Sequence, residues 1–261
     1  MPEGDTVWRA AKRLRDALAG QVLTISDFRT PRLATRDLTG RRVVEVVSRG
    51  KHLLTRVEGG LTLHTHFEMD GTWRVFAAHE RWTGGPGHEI RVVLGTARHT
   101  AVGYRIPVID LIETASEADV VGHLGPDLLD PGFDAEEGIR RLLTTPEAAI
   151  ADALLDQRNL AGIGNVYKSE VLFLSGVDPW TPTSAVPDLA KMVDLARRLM
   201  VANRDREPRI TTGVRRRGEQ TWVYGRGGQP CRRCGTAIRR RMQGGEPTRE
   251  RVTFWCPQCQ R

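Results

Sequence analysis

The sequence predicts an α+β protein with more than one domain. An antiparallel β-sandwich with flanking helices is expected in the N-terminal half, and a helical region followed by a cysteine-bearing β-hairpin in the C-terminal half. Three observations support this prediction. Apolar residues alternate with a period of two in many short segments between residues 22 and 112, and recur at helical spacing from residue 135. Two Cys-x-x-Cys pairs follow near the C-terminal end of the sequence.

The first five residues, Met1-Pro2-Glu3-Gly4-Asp5, lack the basic region and the apolar core of a signal peptide, so a cytoplasmic protein is expected. If Met1 is removed, Pro2 becomes a free secondary amine beside the Glu3 carboxylate. An α-amino group has a pKa of roughly 8, so part of it is unprotonated near neutral pH and can form a Schiff base with a carbon electrophile. On these residues alone, an inert chain start is the simpler interpretation.

The elements of the N-terminal half follow in order. A helix with Asp5 or Thr6 as its N-cap and Gly20 at its end is predicted, because Val7, Ala11, Leu14 and Leu18 recur at helical spacing. Short strands joined by glycine turns, such as Gly59-Gly60, then predict an antiparallel sandwich or barrel. The predicted strands are Val22–Ile25, Val43–Val47, His52–Val57, Leu61–His64, Thr72–Phe76, Ile90–Leu94 and Val108–Ile112. No apolar run approaches the ~20 residues of a membrane span.

Two polar segments of this half are candidates for function. Only four lysines accompany thirty-five arginines, yet Lys51 occupies a turn into a strand, where an ammonium can bind a phosphate; an exposed turn lysine is the alternative. His64 and His66 would share one face of a strand, as metal ligands do, but no third ligand is evident nearby, so no metal site is predicted there. Met69 follows in a polar loop.

The second half is predicted to be helical after a Gly-, Pro- and Asp-rich linker at residues 123–134. A glycine-bearing loop, residues 159–165, precedes one helix start, and such a loop presents backbone amides and a helix dipole to a phosphate. Plain helix corners are built in the same way. The predicted helices are Ala135–Leu143, Glu147–Asp156, Val166–Leu174 and Asp188–Ala202.

All four cysteines of the chain form the two pairs at the end, Cys231/Cys234 and Cys256/Cys259, with twenty-one residues between the pairs. Disulfides are not expected in a cytoplasmic protein, and four thiolates in paired knuckles form a closed tetrahedral zinc site. We therefore predict one structural Zn²⁺. The segments between the pairs, 237–241 and 251–255, are predicted to be the arms of a basic hairpin.

The charge distribution favours a nucleic-acid partner. The formal net charge is +7, and residues 197–261 contain seventeen arginines against five acidic residues. This segment alone carries +12, so the rest of the chain is net negative. A one-sided basic region is the electrostatic pattern expected of a nucleic-acid surface.

The order of these motifs resembles that of the bacterial formamidopyrimidine-DNA glycosylase and endonuclease VIII family. The resemblance rests on the N-terminal Pro-Glu-Gly, Lys51 at a strand turn, Leu-Ala-Gly-Ile-Gly-Asn at residues 160–165 and the Cys₄ hairpin, and it covers the whole chain. It implies a sandwich catalytic domain (1–122), a linker (123–134), a helix-two-turns-helix domain (135–224) and a zinc finger (225–261). It also implies a monomeric, bifunctional DNA glycosylase and lyase that acts on damaged duplex DNA in base-excision repair. The expected location is the bacterial cytoplasm, in association with the nucleoid.

The resemblance implies a role for each matching residue. Pro2 would attack C1′ of the damaged nucleotide, Glu3 would transfer protons, and Lys51 would contact the neighbouring phosphate and support strand cleavage. Asn165 and Arg251 would complete the phosphate clamp. The remaining assignments are Met69 as the side chain that fills the gap left by the everted base, and Cys231, Cys234, Cys256 and Cys259 as zinc ligands.

The resemblance is closer to endonuclease VIII. The aromatic-and-arginine loop of the oxoguanine-type members has no convincing match here, Tyr104-Arg105 being the nearest candidate. Oxidised pyrimidines are therefore the expected substrates, with cleavage by β- or β,δ-elimination. Asp5-Thr6 replaces a second glutamate that many members carry. The alternatives are a non-catalytic zinc-finger protein that recognises damaged or abasic DNA, and a Schiff-base enzyme acting on a small molecule, which leaves the basic C-terminal region unexplained.

Overall fold

The computed structural model describes residues 2–244 and 251–261. The chain divides into two compact units, Met1–His123 and Leu124–Arg261. Among the described residues, no helix combines the length and the apolar character that a membrane crossing requires.

The first unit is a sandwich of two four-stranded antiparallel sheets with strand orders β1-β6-β7-β5 and β2-β3-β4-β8. Its apolar core lies between the sheets and is continuous with the buried face of α1. The elements of this unit are α1 (Gly4–Leu18), β1 (Ile25–Phe28), β2 (Val43–Arg49), β3 (His52–Val57), β4 (Leu61–His66), β5 (Thr72–Ala77), β6 (Ile90–Gly95), β7 (His99–Tyr104), β8 (Val108–Glu113) and α2 (Glu117–Val121).

Helix α1 covers one open side of the sandwich. It packs on β2 and β3 of one sheet and on β5 and β7 of the other. Val7, Leu14 and Leu18 are fully or almost fully buried because they recur on one helical face. The helix ends at Leu18, and Gly20 follows with φ +77°, a conformation that favours glycine. This packing fixes the N-terminal end of α1, where Pro2 and Glu3 lie.

The second unit consists of four helices and a two-stranded hairpin in the described part of the chain. Every residue of α5 from Asn165 to Phe173 is buried. Phe173 belongs to the core cluster that also contains Cys231 and Cys256, so α5 packs directly against the base of the hairpin. The elements are α3 (Ala135–Leu142), α4 (Ile150–Leu155), α5 (Asn165–Ser175), α6 (Leu189–Asn203), β9 (Arg239–Gln243) and β10 (Arg251–Trp255).

This architecture confirms the predicted fold class, with corrections to single elements. The first strand is Ile25–Phe28, whereas Val22, predicted to begin it, forms only an isolated bridge to Arg42. The strand β7 was not predicted, and neither was the short helix α2. Helix α1 begins at Gly4 with Glu3 as its N-cap residue, so the expected N-cap at Asp5 or Thr6 was wrong.

Candidate functional site

Pro2 and Glu3 lie at the N-terminal end of α1. Pro2 is half-buried and Glu3 is fully buried. The Glu3 carbonyl accepts hydrogen bonds from the amides of Thr6 (2.9 Å) and Val7 (3.1 Å), so the Glu3 backbone starts the helix. Its carboxylate is not the helix cap. The Glu3 carboxyl group therefore lies beside Pro2 at the positive end of the helix dipole.

Asp5 is a second buried acidic side chain in the same turn, 1% exposed, to which sequence reasoning assigned no role other than that of a helix cap. Its Oδ1 accepts a hydrogen bond from the Thr6 amide at 2.8 Å. Two buried acidic side chains, Glu3 and Asp5, thus lie within three residues at the helix N-terminus that carries Pro2. The only available signal was the acidic composition of the first turn, which is also ordinary for an inert helix start.

Lys51 lies on a rigid two-residue turn between β2 and β3. Arg49 and His52 face each other as the last cross-strand pair, and Gly50 has φ +58°. Glycine at the first central position is typical of the type II′ turn, whose twist matches that of the strands. Lys51 itself is half-buried. The turn therefore holds the Lys51 backbone in a defined position at the end of the hairpin.

Four histidines surround this turn, two of which sequence reasoning did not consider. The rings of His52 and His64 stack with centroids 5.1 Å apart, and His52 Nδ1 lies 2.9 Å from His64 Nε2. The His52 centroid lies 4.8 Å from that of His66 and 6.2 Å from that of His123. His52 begins β3 and His123 follows α2, whereas His64 and His66 lie on β4. No local sequence pattern therefore indicates that the four histidines form one cluster.

Two rings of the histidine cluster, His52 and His66, are uncharged at neutral pH. Burial, followed by repulsion from the neighbouring imidazoles and Lys51, lowers the pKa of His52 to about 3. Burial and Lys51 lower the pKa of His66 to about 4. Within the described ranges, the group of three or more potential metal-binding side chains is that of the four cysteines.

Met69 is held outward by the loop between β4 and β5. Its side chain is 55% exposed, whereas Phe67 in the same loop is buried in the core. Glu68 has φ +46°, and a Cβ at Gly71 would lie 2.8 Å from the Phe67 backbone, so the loop is tightly folded beneath the methionine. Tyr104, the nearest candidate for an aromatic wedge, is fully buried and is therefore not available for that role.

Asn165 begins α5, immediately after the glycine-bearing loop. Gly162 has φ +104°, a value that favours glycine. The side chain of Gln157 braces this loop, accepting from the Gly162 amide (3.0 Å) and donating to the Ile163 carbonyl (2.9 Å). Asn165 Nδ2 donates to the Val252 carbonyl at 2.8 Å. Asn165 is therefore tied to the residue after Arg251, and the structure brings these two predicted contacts together.

A buried polar chain reinforces the same junction one helical turn later. Lys168 is fully buried, and its Nζ donates to Thr253 Oγ1 at 2.6 Å. Thr253 Oγ1 in turn donates to Gln243 Oε1 at 2.8 Å, so helix α5 is joined to both strands of the hairpin. Desolvation raises the pKa of the nearby Asp152, and the Lys168 charge opposes that shift. A lysine within a helical run gave no sequence signal for this role.

The four cysteines have the geometry of a closed metal site. The Sγ atoms of Cys231 and Cys259 are 3.9 Å apart, those of Cys234 and Cys256 are 3.5 Å apart, and all four lie within 4.8 Å of one another. Four sulfurs at the Zn–S distance of about 2.3 Å in a tetrahedron are separated by roughly 3.8 Å. The thiols therefore fit one tetrahedrally coordinated metal ion.

Comparison with known families agrees with this fold and these motifs. The profile of the formamidopyrimidine-DNA glycosylase N-terminal domain matches residues 1–106, and that of the formamidopyrimidine-DNA glycosylase H2TH domain matches residues 124–200. The chain belongs to this family of DNA glycosylases.

Individual relatives and one solved structure match the chain over almost its whole length. A protein from Streptomyces coelicolor named "Probable endonuclease 8 2" is 62% identical, and the match covers 100% of this chain and 94% of the relative. The Mycolicibacterium smegmatis "DNA-(apurinic or apyrimidinic site) lyase Nei2" is 46% identical over 100% of this chain and 99% of its own length. Lactococcus lactis Fpg, solved in complex with DNA containing an abasic site, has the same fold, with a TM-score of 0.80, 22% identity and 99% coverage of both chains. The predicted family is confirmed.

Proposed function

We propose that this protein is a bifunctional DNA glycosylase and AP lyase that removes oxidised bases from duplex DNA in base-excision repair. The observation that carries this proposal is a half-buried Pro2 next to a fully buried Glu3 at the start of α1, in a chain of the formamidopyrimidine-DNA glycosylase family. Relatives that match the whole chain are named endonuclease 8 and AP lyase, which supports the same activity.

In the proposed mechanism, removal of Met1 frees the Pro2 amine, which attacks C1′ of the damaged nucleotide. The C1′–N bond to the base breaks and the base leaves with the proton that the amine gives up. The C1′–O4′ bond of the sugar then breaks, O4′ takes up a proton, and an iminium forms between Pro2 and C1′. Glu3 supplies and accepts protons at the sugar during these steps. The iminium nitrogen acts as an electron sink, so a C2′ proton can be lost and the 3′ phosphate expelled by β-elimination.

The proposed DNA contacts are of two kinds, hydrogen-bond donors that bind phosphates and one apolar side chain that fills the gap in the duplex. Lys51 on its turn, and Asn165 and Arg251 at the α5–hairpin junction, would bind backbone phosphates. Met69, exposed on its folded loop, would occupy the gap left by the everted nucleotide. Eversion costs a few kcal/mol, which a wedge and phosphate contacts can offset.

We further propose that the metal held by the four cysteines is a structural zinc ion and that oxidised pyrimidines are the preferred substrates. A Cys₄ site leaves no position open for substrate, so bound zinc would stabilise the hairpin fold and take no part in the chemistry. Chelation, or Cys256→Ser, should weaken binding to abasic DNA because the hairpin that carries Arg251 loses its support. Unchanged affinity after verified metal loss would contradict this role.

Borohydride trapping tests the proposed chemistry. The wild type should become covalently attached to a duplex with one abasic site, whereas Pro2→Gly and a variant that retains Met1 should not. Glu3→Gln tests the proton-transfer role, with Glu80→Gln, an exposed glutamate of the same unit, as the matched control. Full trapping by the Pro2 variant would refute the assignment of the nucleophile. Cleavage of duplexes that each carry one defined oxidised base would test the substrate preference.

A further inference from the structure

His52 occupies a position that the proposed chemistry leaves unused. It directly follows Lys51 and begins β3, and its side chain is half-buried among three other imidazoles. Its Nδ1 is 2.9 Å from Nε2 of His64, a buried residue that is 4% exposed. Two neutral imidazoles at this distance share one hydrogen, and the direction of that bond fixes the tautomers of both rings.

The surroundings of His64 select the direction. Its Nδ1 is buried and has no hydrogen-bond partner in the described part of the chain. If His52 were the donor, a neutral His64 would carry its hydrogen on Nδ1, as a buried N–H group without an acceptor. Buried unpaired donors are rarer than buried acceptors that lack a full set of partners. The favoured arrangement therefore has His64 Nε2–H donating to His52 Nδ1.

This arrangement leaves the hydrogen of His52 on Nε2. Within residues 2–244 and 251–261, that nitrogen has no hydrogen-bond partner, and it is not among the buried unpaired atoms, so it reaches the surface. The rings of His66 and His123 flank His52 and restrict its rotation. The result is an oriented, accessible N–H donor one residue after Lys51.

We propose that His52 donates this Nε2–H to a phosphate oxygen of the DNA backbone beside Lys51, and that His64 is the positioning residue that sets its tautomer. The inference rests on the proposed function, in which Lys51 meets a phosphate. His52 remains neutral because burial, followed by repulsion from the other histidines and Lys51, lowers its pKa to about 3, so the contact is an uncharged hydrogen bond. The hydrogen bond from His52 orients the phosphate, while Lys51 supplies the positive charge that attracts it.

Two measurements test this assignment on the full-length protein. The first is the tautomeric state of His52 in the free protein at pH 7, from long-range ¹H–¹⁵N spectra. The Nε2–H form is expected in the wild type and in His64→Gln, whose amide can donate in place of the imidazole. In His64→Phe the preference should be lost. A predominant Nδ1–H form or a charged ring in the wild type would overturn the tautomer assignment.

The second measurement is the affinity for a duplex with a tetrahydrofuran abasic-site analogue, which lacks the C1′ hydroxyl and cannot form the Schiff base. His52→Phe should weaken binding about ten- to hundredfold, the usual effect of one hydrogen bond to a charged group. It should leave the salt dependence unchanged, whereas Lys51→Met should reduce the slope by about one. The exposed His79→Gln is the matched control, with wild-type affinity expected.

The positioning role of His64 has its own signature. His64→Phe should weaken binding about two- to fivefold, because only part of the population then presents the competent tautomer. The double variant should bind no more weakly than His52→Phe alone, since both changes remove one interaction. Wild-type affinity in His52→Phe, or additive effects in the double variant, would overturn the proposal while trapping by the wild type still supports the proposed function. A wild type that neither binds nor is trapped would overturn both.

Discussion

Lys168 provides a quantitative test of how the second unit holds its phosphate-binding residues. Replacing it by methionine keeps the approximate length of the side chain and removes the ammonium group that donates to Thr253 Oγ1 at 2.6 Å. A hydrogen bond from a charged donor contributes about 1.5–3 kcal/mol. Methionine avoids the cost of burying a charge and Thr253 keeps its bond to Gln243, whereas Asp152 loses the favourable charge of Lys168. These effects oppose one another, so the loss should be about 2 kcal/mol.

Scanning calorimetry and peptide-resolved hydrogen exchange measure this loss. For a unit of this size, about 2 kcal/mol corresponds to a decrease in Tm of roughly 5 °C. Exchange should accelerate in α5 and β10, the two elements that the contact joins. Lys191→Met is the matched control, because Lys191 is an exposed lysine on α6, and it should change the free energy of unfolding by less than about 0.5 kcal/mol.

The functional consequence follows from helical geometry. Lys168 lies three residues after Asn165 on α5, and Thr253 lies two residues after Arg251 on β10. Loosening this junction should weaken binding to abasic DNA, while the rate of borohydride trapping at saturating protein should remain near that of the wild type. A Lys168→Met protein as stable as Lys191→Met, or one whose faster exchange lies elsewhere, would refute the reasoning.

Three further predictions concern other parts of the chain. Because His52 and His66 have pKa values of about 3 and 4 against an ordinary 6.5, the unfolded chain binds protons that the folded chain does not as the pH falls from 6.5 towards 4. The contribution of the two neutral histidines to stability should be fully present above pH 6.5. It should decrease as the pH falls below 6.5, by up to roughly 1.4 kcal/mol per pH unit for each histidine. A Tm that depends on pH as strongly in His52→Gln as in the wild type would contradict this prediction. Glu170→Ala should lower the free energy of unfolding, measured with urea, by about 3 kcal/mol or more, because three backbone amides lose their buried acceptor. Glu170→Gln should lower it less. Equal losses in the two variants would argue against these hydrogen bonds. Gly162→Ala should lower the free energy of unfolding by roughly 1–3 kcal/mol, because alanine is strained at the φ of +104° that Gly162 adopts. The variant should also bind abasic DNA more weakly. Unchanged stability and affinity would show that the loop can adopt another conformation.

Local patterns predicted the elements whose residues carry their own signal. The strands β3 and β4 follow from alternating apolar residues on either side of Gly59-Gly60, and they pair in the register that this turn dictates. The cysteine spacing predicted a metal site because the ligand chemistry is contained in the two knuckles. Both predictions depend on residues close together in sequence.

The features that were missed depend on pairing between distant segments. The strand β7 contains Ala101 and Gly103, residues that are depleted in strands, and it forms because β5 and β6 pair with it on both sides. The histidine cluster assembles only when β3, β4 and the chain after α2 meet. The bond from Asn165 to the Val252 carbonyl joins residues 87 positions apart. No periodicity within one element encodes such contacts.

Helix α5 lacks a single polar face because each of its turns supports a different neighbour. Asn165 and Lys168 bond to β10, Glu170 accepts from the amides of residues 222–224, and Phe173 packs against the cysteine core. A helix buried on all sides is a core element, so substitutions along it alter the clamp and the metal site together. Loss of DNA affinity in an α5 variant therefore identifies a phosphate contact only where hydrogen exchange in β10 stays at the wild-type rate. Asn165→Ala should fail that condition, because the same amide that would meet DNA also supports Val252.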